Sequence, residues 1–252
     1  MIPDVPSGSY FADGLESNAV ANYDFVISKP RNEFTEQALS RLAQIHIKSN
    51  DFAKLIPILK RLETEADFPQ NITFAQANLM KTYYEQKDYT NAVLYSDKVL
   101  SNPKKDDKVK SDAQIIIARA AFNSNDLTKA RLAYSKLLTI AKGELAAEAL
   151  YYEAYFKNSD GKFEESNTVV QKLTKDYSGY KYFGAKGLVV MAKNFYGLKD
   201  SFQATYILDS VIKNFTSFPD VIEEAQKELD FIKAEESKTN SSVSPLTPKG
   251  GN

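Results

Sequence analysis

The chain contains no cysteine. Disulfides and thiolate metal sites are therefore excluded, and packing must hold the fold together. A cysteine-free chain suits a reducing cytoplasm and a bacterial envelope equally. Tryptophan is absent too, and histidine occurs once, at His46, between Ile45 and Ile47. One imidazole cannot build a multi-histidine metal site. A Ser-His-Asp triad would have to use it, and no nucleophile-elbow sequence is present. His46 reads as a packed or half-exposed helix residue. The stretch Gly184-Ala185-Lys186-Gly187 lacks both the spacing and the preceding strand of a phosphate loop. Neighbouring carboxylates such as Glu164 and Glu165 diverge on a helix and read as surface charge. No catalytic group emerges, no cofactor is implied, and the expectation is a non-enzymatic protein.

An excess of charge of one sign is also lacking: 32 Lys and Arg stand against 33 Asp and Glu. Nucleic-acid binders carry a basic surplus, so a nucleic-acid partner is not expected. The basic loop of Lys98, Lys104, Lys105, Lys108 and Lys110 is divided by Asp106 and Asp107. No apolar run is long enough to cross a bilayer. Residues 1–15 have neither a basic start nor an apolar stretch, so they do not read as a signal peptide. With 43% hydrophobic residues the chain can still bury a substantial core.

What is present is a repeat. Turn-like segments recur at Asn50-Asp51-Phe52, Lys87-Asp88-Tyr89, Asn125-Asp126-Leu127, Gly161-Lys162-Phe163 and Lys199-Asp200-Ser201-Phe202. Their marker residues Phe52, Tyr89, Leu127, Phe163 and Phe202 are 37, 38, 36 and 39 apart. A period of this size marks a helical solenoid, in which each unit buries its apolar face against its neighbours. Stripes such as Leu79, Met80, Tyr83 and Tyr84 have helical spacing.

The sequence predicts an opening helix over Leu15–Ser28 and then five pairs, each with a first helix A and a second helix B. These are Glu33–Lys48 with Phe52–Ala66, Ile72–Gln86 with Tyr89–Leu100, Lys108–Asn123 with Leu127–Ala141, Glu144–Asn158 with Phe163–Tyr177, and Tyr182–Tyr196 with Ser201–Phe215. A terminal capping helix follows over Pro219–Glu236. It carries seven acidic side chains against Lys227 and Lys233, as suits a polar end to an apolar array. Small residues Ala19, Ala92, Ala130, Ser166 and Ala204, with Leu55 in the first unit, mark close helix approach. Pro57 inside a B helix predicts a kink or a late helix start. The domain reading is an irregular segment 1–14, a solenoid 15–236 and a disordered tail 237–252. Leu15–Ser28 resembles a B helix without its A helix. The chain is accordingly expected either to begin within an array or to pack residues 1–14 as an irregular cap.

These residues resemble the tetratricopeptide repeat family. In the second unit Leu79, Met80 and Tyr83 precede Asp88-Tyr89, then Ala92, Tyr95, Val99-Leu100 and Pro103. The third unit matches through Asp126-Leu127, Ala130, Tyr134 and Leu137-Leu138, and the fourth through Gly161, Phe163 and Leu173. Met80 replaces the family's usual small residue, its tryptophan is missing, and the period is longer. The resemblance implies an all-α, right-handed helical-hairpin solenoid of about five units. It also implies a protein–protein scaffold whose A helices line a concave groove. The groove positions carried over are Lys81, Tyr84, Arg119, Phe122, Tyr151, Tyr155, Lys193 and Tyr196. They would bind an extended peptide or a partner helix of acidic character, although most tyrosines in such an array serve packing between helices. Gln44 and Tyr155 stand where the family's carboxylate clamp has asparagine, so binding of a C-terminal peptide is not implied.

The segments Asp176-Tyr177-Ser178-Gly179 and Lys213-Asn214-Phe215 are similar to bacterial envelope repeats of the barrel-assembly lipoprotein and Tol-Pal coordinator type. The Lys-, Asn- and Tyr-rich style resembles repeat proteins of Bacteroidetes. That likeness implies a periplasmic or outer-membrane-associated assembly, with cytoplasmic placement as the alternative. Two other functions stay open: a spacer within a longer repeat protein and a regulatory subunit of an enzyme.

Overall fold

The computed structural model describes residues 16–102 and 107–242. The expected segment 1–14, residues 243–252 of the expected tail, and residues 103–106 of the basic loop lie outside the described residues. Twelve α-helices and no strand occur among the described residues. They are α1 (Glu16–Ile27), α2 (Thr35–Lys48), α3 (Phe52–Glu65), α4 (Pro69–Glu85), α5 (Tyr89–Ser101), α6 (Asp107–Asn123), α7 (Leu127–Leu137), α8 (Gly143–Ser159), α9 (Phe163–Asp176), α10 (Lys181–Gly197), α11 (Ser201–Asn214) and α12 (Pro219–Ser242). Among the described residues, no helix is long and apolar enough to cross a membrane.

The chain divides within α7 into two compact units, residues 1–133 and 134–252. In the first, each helix from α1 to α6 packs on the next, and α4 also packs on α6. In the second, α8 to α12 do the same, with α8 against α10 and α10 against α12. Packing of neighbours, with contact between alternate helices, is the arrangement of a helical-hairpin solenoid. The cores are aliphatic. Leu39, Leu42, Leu59, Leu62, Leu79 and Met80 are fully buried in the first unit, as are Leu173, Leu208, Val211 and Ile232 in the second. Each such side chain stabilises the fold by about 1.5–3 kcal/mol relative to exposure. Ala19, Ala92, Ala130, Ser166, Ala204 and Leu55 are all buried, as the small-residue pattern predicts.

The repeat is written in its turns. Asn50, Lys87, Asn125 and Lys199 are the four non-glycine residues with positive φ among the described residues, and Gly161 takes the same conformation in the fourth unit. At each, the residue's own N–H reaches back three residues, from Asn50 to the Ile47 carbonyl and from Lys87 to the Tyr84 carbonyl. The following N–H reaches back five, from Asp51 to His46, Asp88 to Tyr83, Asp126 to Ala121, Lys162 to Lys157 and Asp200 to Phe195. That pair of bonds terminates a helix through one left-handed residue and satisfies its last carbonyls.

The next helix starts at once. The carboxylates of Asp51, Asp88, Asp126 and Asp200 accept from the amides of Lys54, Asn91, Lys129 and Gln203, capping α3, α5, α7 and α11. In the fourth unit Lys162 holds this position and makes no side-chain cap. The left-handed residues fix the spacing at 37, 38, 36 and 38. The residue equivalent to Phe52, Tyr89, Leu127 and Phe163 in the fifth unit is therefore Ser201. Phe202, the expected marker, points outward and is 77% exposed.

Other departures are local. Of the two outcomes expected at Pro57, the late start does not occur: α3 runs from Phe52 through it. Pro57 and Ala53 are both exposed, so the carbonyl that loses its donor faces water. The helix α4 starts at Pro69, earlier than Ile72, because proline at the first helical position needs no donor. Its preceding turn is capped from a distance by Glu36 of α2, which accepts from the Asp67 and Phe68 amides and from Asn71 Nδ2. The last helix extends beyond Glu236 to Ser242, so part of the expected tail is helical.

Candidate functional site

Positions six and three residues before Lys87, Asn125, Gly161 and Lys199 lie on the A helices and remain partly exposed. In the first unit they are Lys81 and Tyr84 on α4, and Arg119 and Phe122 on α6. In the second they are Tyr155 and Asn158 on α8, and Lys193 and Tyr196 on α10. Residues between them, such as Thr82, Tyr83, Ala120 and Ala121, are buried. The helical period thus leaves one accessible row on each A helix while its neighbours enter the core.

The cations in this row already have partners. Lys81 Nζ lies 2.9 Å from Asp112 Oδ2, joining α4 to α6. Lys193 Nζ lies 2.7 Å from Glu224 Oε1 and 3.9 Å from Glu228 Oε2, joining α10 to α12. Both lysines meet a carboxylate 31 residues further on, so the two pairs occupy the same place in the repeat. Exposed pairs of this kind contribute only about 0–1 kcal/mol each. They leave each A-helix surface mixed in charge rather than basic. The aromatic members sit beside them: Tyr84 packs against Tyr89 at 5.9 Å between ring centroids, and Tyr196 packs edge-on against Phe231 at 5.8 Å. Phe231 itself is half exposed.

Tyr151 stands apart from the other expected groove residues. It is buried, with its ring against Tyr152 and Phe183, and Lys186 Nζ lies 4.8 Å over its face. Its repeat position is the one held by Ala77, Ile115 and Val189, which are core or partly buried positions. Burial pushes its hydroxyl well above the usual tyrosine range. The accessible positions on α8 are Tyr155 and, in place of Tyr151, Asn158, which was not among the expected groove residues. Asn158 Nδ2 donates to Asn194 Oδ1 at 2.7 Å. Asn194, fully buried, donates in turn to Ser166 Oγ and Asn167 Oδ1, and Ser166 Oγ donates to the Ala154 carbonyl. This network ties α8, α9 and α10 together beneath the accessible row.

A second polar cluster lies between α3, α4 and α5. Glu63 accepts from Lys98 Nζ, Gln76 Nε2 and Tyr95 Oη. Burial raises the Glu63 carboxyl, but the bonds from Lys98 and Gln76 outweigh it and hold the group below the usual range. Tyr95 is pushed up to about 12, by burial first and then by Glu63. His46 is buried on α2, with Nδ1 3.9 Å from Asp51 Oδ2. Among the described residues, no group of three or more His, Asp or Glu side chains is placed to hold a metal ion.

One open feature of the second unit is lined by none of the residues of this row. A cavity of about 470 Å³ sits where α9 and α11 end and α10 begins. Tyr177, Tyr180, Phe215 and Phe218 line it, so it falls on the segments closing the last two B helices. No protein-family model matches the chain, and no curated protein matches it.

Proposed function

We propose that the chain is a non-enzymatic protein–protein scaffold of the tetratricopeptide type, engaging a partner through the accessible positions of the A helices in each of its two units. The observation that carries this reading is the repeated pairing, on four A helices, of a partly exposed aromatic or amide residue with a cation or aromatic one turn away. Aromatic side chains and arginine supply most of the energy at protein interfaces, because they bury large areas with few rotatable bonds. Because Lys81 and Lys193 are ion-paired, the matching ligand is an extended peptide or helix of mixed charge with apolar anchors, rather than a purely acidic one. We place the protein in a bacterial cell-envelope assembly on the likeness of its B-helix closing segments.

The test is capture of partners from native extract, comparing the wild-type chain with Tyr84→Ala/Tyr196→Ala and with the outward-facing control Phe202→Ala/Tyr206→Ala. The proposal expects a specific partner, lost from the first variant and retained by the second, and that partner's identity assigns the compartment. Loss from the control alone moves the interface to the B helices. Absence of any partner favours a spacer within a longer array.

A further inference from the structure

The cavity at the ends of α9 and α11 has the composition of a ligand site. Its volume of about 470 Å³ lies within the range of small-molecule pockets, about 300–1,000 Å³. Tyr177, Tyr180, Phe215 and Phe218 line it, among polar residues that include Ser178 and Asn214. Gly184 of α10 lines it, and a Cβ built there meets no atom within 4 Å. Lys181 is the only charged residue in the lining, and no carboxylate accompanies it. Among the described residues its ammonium has neither an ion pair nor a hydrogen bond. Lys81 and Lys193, by contrast, each carry a carboxylate. An uncompensated cation at the mouth of an aromatic cavity is complementary to a single negative charge attached to an apolar group.

We propose that this cavity binds an aromatic or branched apolar carboxylate, with the apolar group between the rings and the carboxylate on Lys181. One monovalent cation matches a carboxylate better than a phosphate dianion, which would need further donors of positive charge. The ligand is a free small acid or the terminal residue of another chain. The site is separate from the A-helix row, so it stands or falls independently of the scaffold reading.

The test uses the full chain, titrated with 3-phenylpropionate, its neutral amide and N-acetylphenylalanine, and followed by backbone amide NMR shifts. The expected result is saturable shifts at Ser178, Gly184 and Ser217, with the acids binding at least tenfold more tightly than the amide. Lys181→Ala, a change at an exposed side chain, should weaken the acids about tenfold and leave the amide unchanged. Gly184→Leu should fill the cavity and abolish binding with the melting temperature maintained; if it unfolds the chain, Gly184→Ala with Lys181→Ala decides the matter. Tighter binding of N-acetylphenylalanine identifies a chain terminus as the ligand, and tighter binding of 3-phenylpropionate identifies a free acid. Equal affinity for acid and amide, shifts elsewhere, or no saturable binding by any probe overturns the proposal.

Discussion

The ring of Phe163, the first residue of α9, lies against the α-carbon of Gly197, the last residue of α10. A Cβ at Gly197 would stand 2.5 Å from the ring's tip. The helices can approach here only because one of them has no side chain at the contact. Gly197→Ala is therefore expected to cost about 1–3 kcal/mol through overpacking. Adding Phe163→Leu, which shortens the opposing side chain, should recover much of that loss. Chemical denaturation of the two single variants and the double variant measures the coupling. Additive effects would show that the ring moves aside freely.

Three turns depart from the repeat's own chemistry and can be improved. Lysine holds the left-handed position at Lys87 and Lys199, where glycine avoids a cost of about 1–2 kcal/mol for an L side chain. Lys162 stands where the other units have a capping aspartate. Lys199→Gly should raise stability by up to about 1 kcal/mol after the glycine's greater unfolded-state entropy is subtracted. Lys162→Asn should add about 0.5–1 kcal/mol by supplying the cap without placing a new charge beside Glu164 and Glu165. Thermal unfolding of each variant checks the sign.

Asn194 is expected to tolerate substitution poorly. It is fully buried and exchanges hydrogen bonds with Asn158, Ser166 and Asn167. Asn194→Ala removes a cavity's worth of packing and strands those partners, for an expected loss of about 2–3 kcal/mol. Local amide exchange in α8, α9 and α10 should rise together. A rise confined to α10 would mean that the network does not join them.

Stability should fall steeply in alkali. Tyr95 and Tyr182 are both raised from 10.0 to about 12, by burial first and then by Glu63 and Asp220 respectively. A raised folded-state value means the neutral phenol stabilises the fold below pH 10, and this contribution is lost as pH rises from 10 to about 12. Unfolding free energy measured across that window should decline more gently in Tyr182→Phe than in the wild-type chain. An unchanged slope would mean that Tyr182 ionises as readily folded as unfolded.

Much of the fold is legible in the sequence because its turns use residue-specific chemistry. Asparagine or glycine enters the left-handed region at three of the five turns, and aspartate caps the next helix at four. Both facts are local and visible as a spaced motif. The Phe202 marker fails for the same reason: an aromatic side chain alone does not tell whether it lies one or two residues past the cap. The site is less legible. That Lys81 and Lys193 are neutralised depends on Asp112 and Glu224, each a whole repeat unit away. Tyr151 and Tyr155 are one helical turn apart, yet Tyr151 is buried, with Tyr152, Phe183 and Lys186 around its ring, and Tyr155 stays partly exposed. Glu36 caps a turn 31 residues later, and the cavity exists only where three helix ends converge.

The most direct test of the scaffold reading is hydrogen–deuterium exchange of the full chain, alone and with a partner captured from native extract. The reading predicts new protection around Tyr84 and Phe122 on α4 and α6, and around Tyr155 and Tyr196 on α8 and α10, with the outer surfaces of α5 and α11 unchanged. Protection confined to the B helices, or a complex that leaves every A helix unaltered, would contradict it.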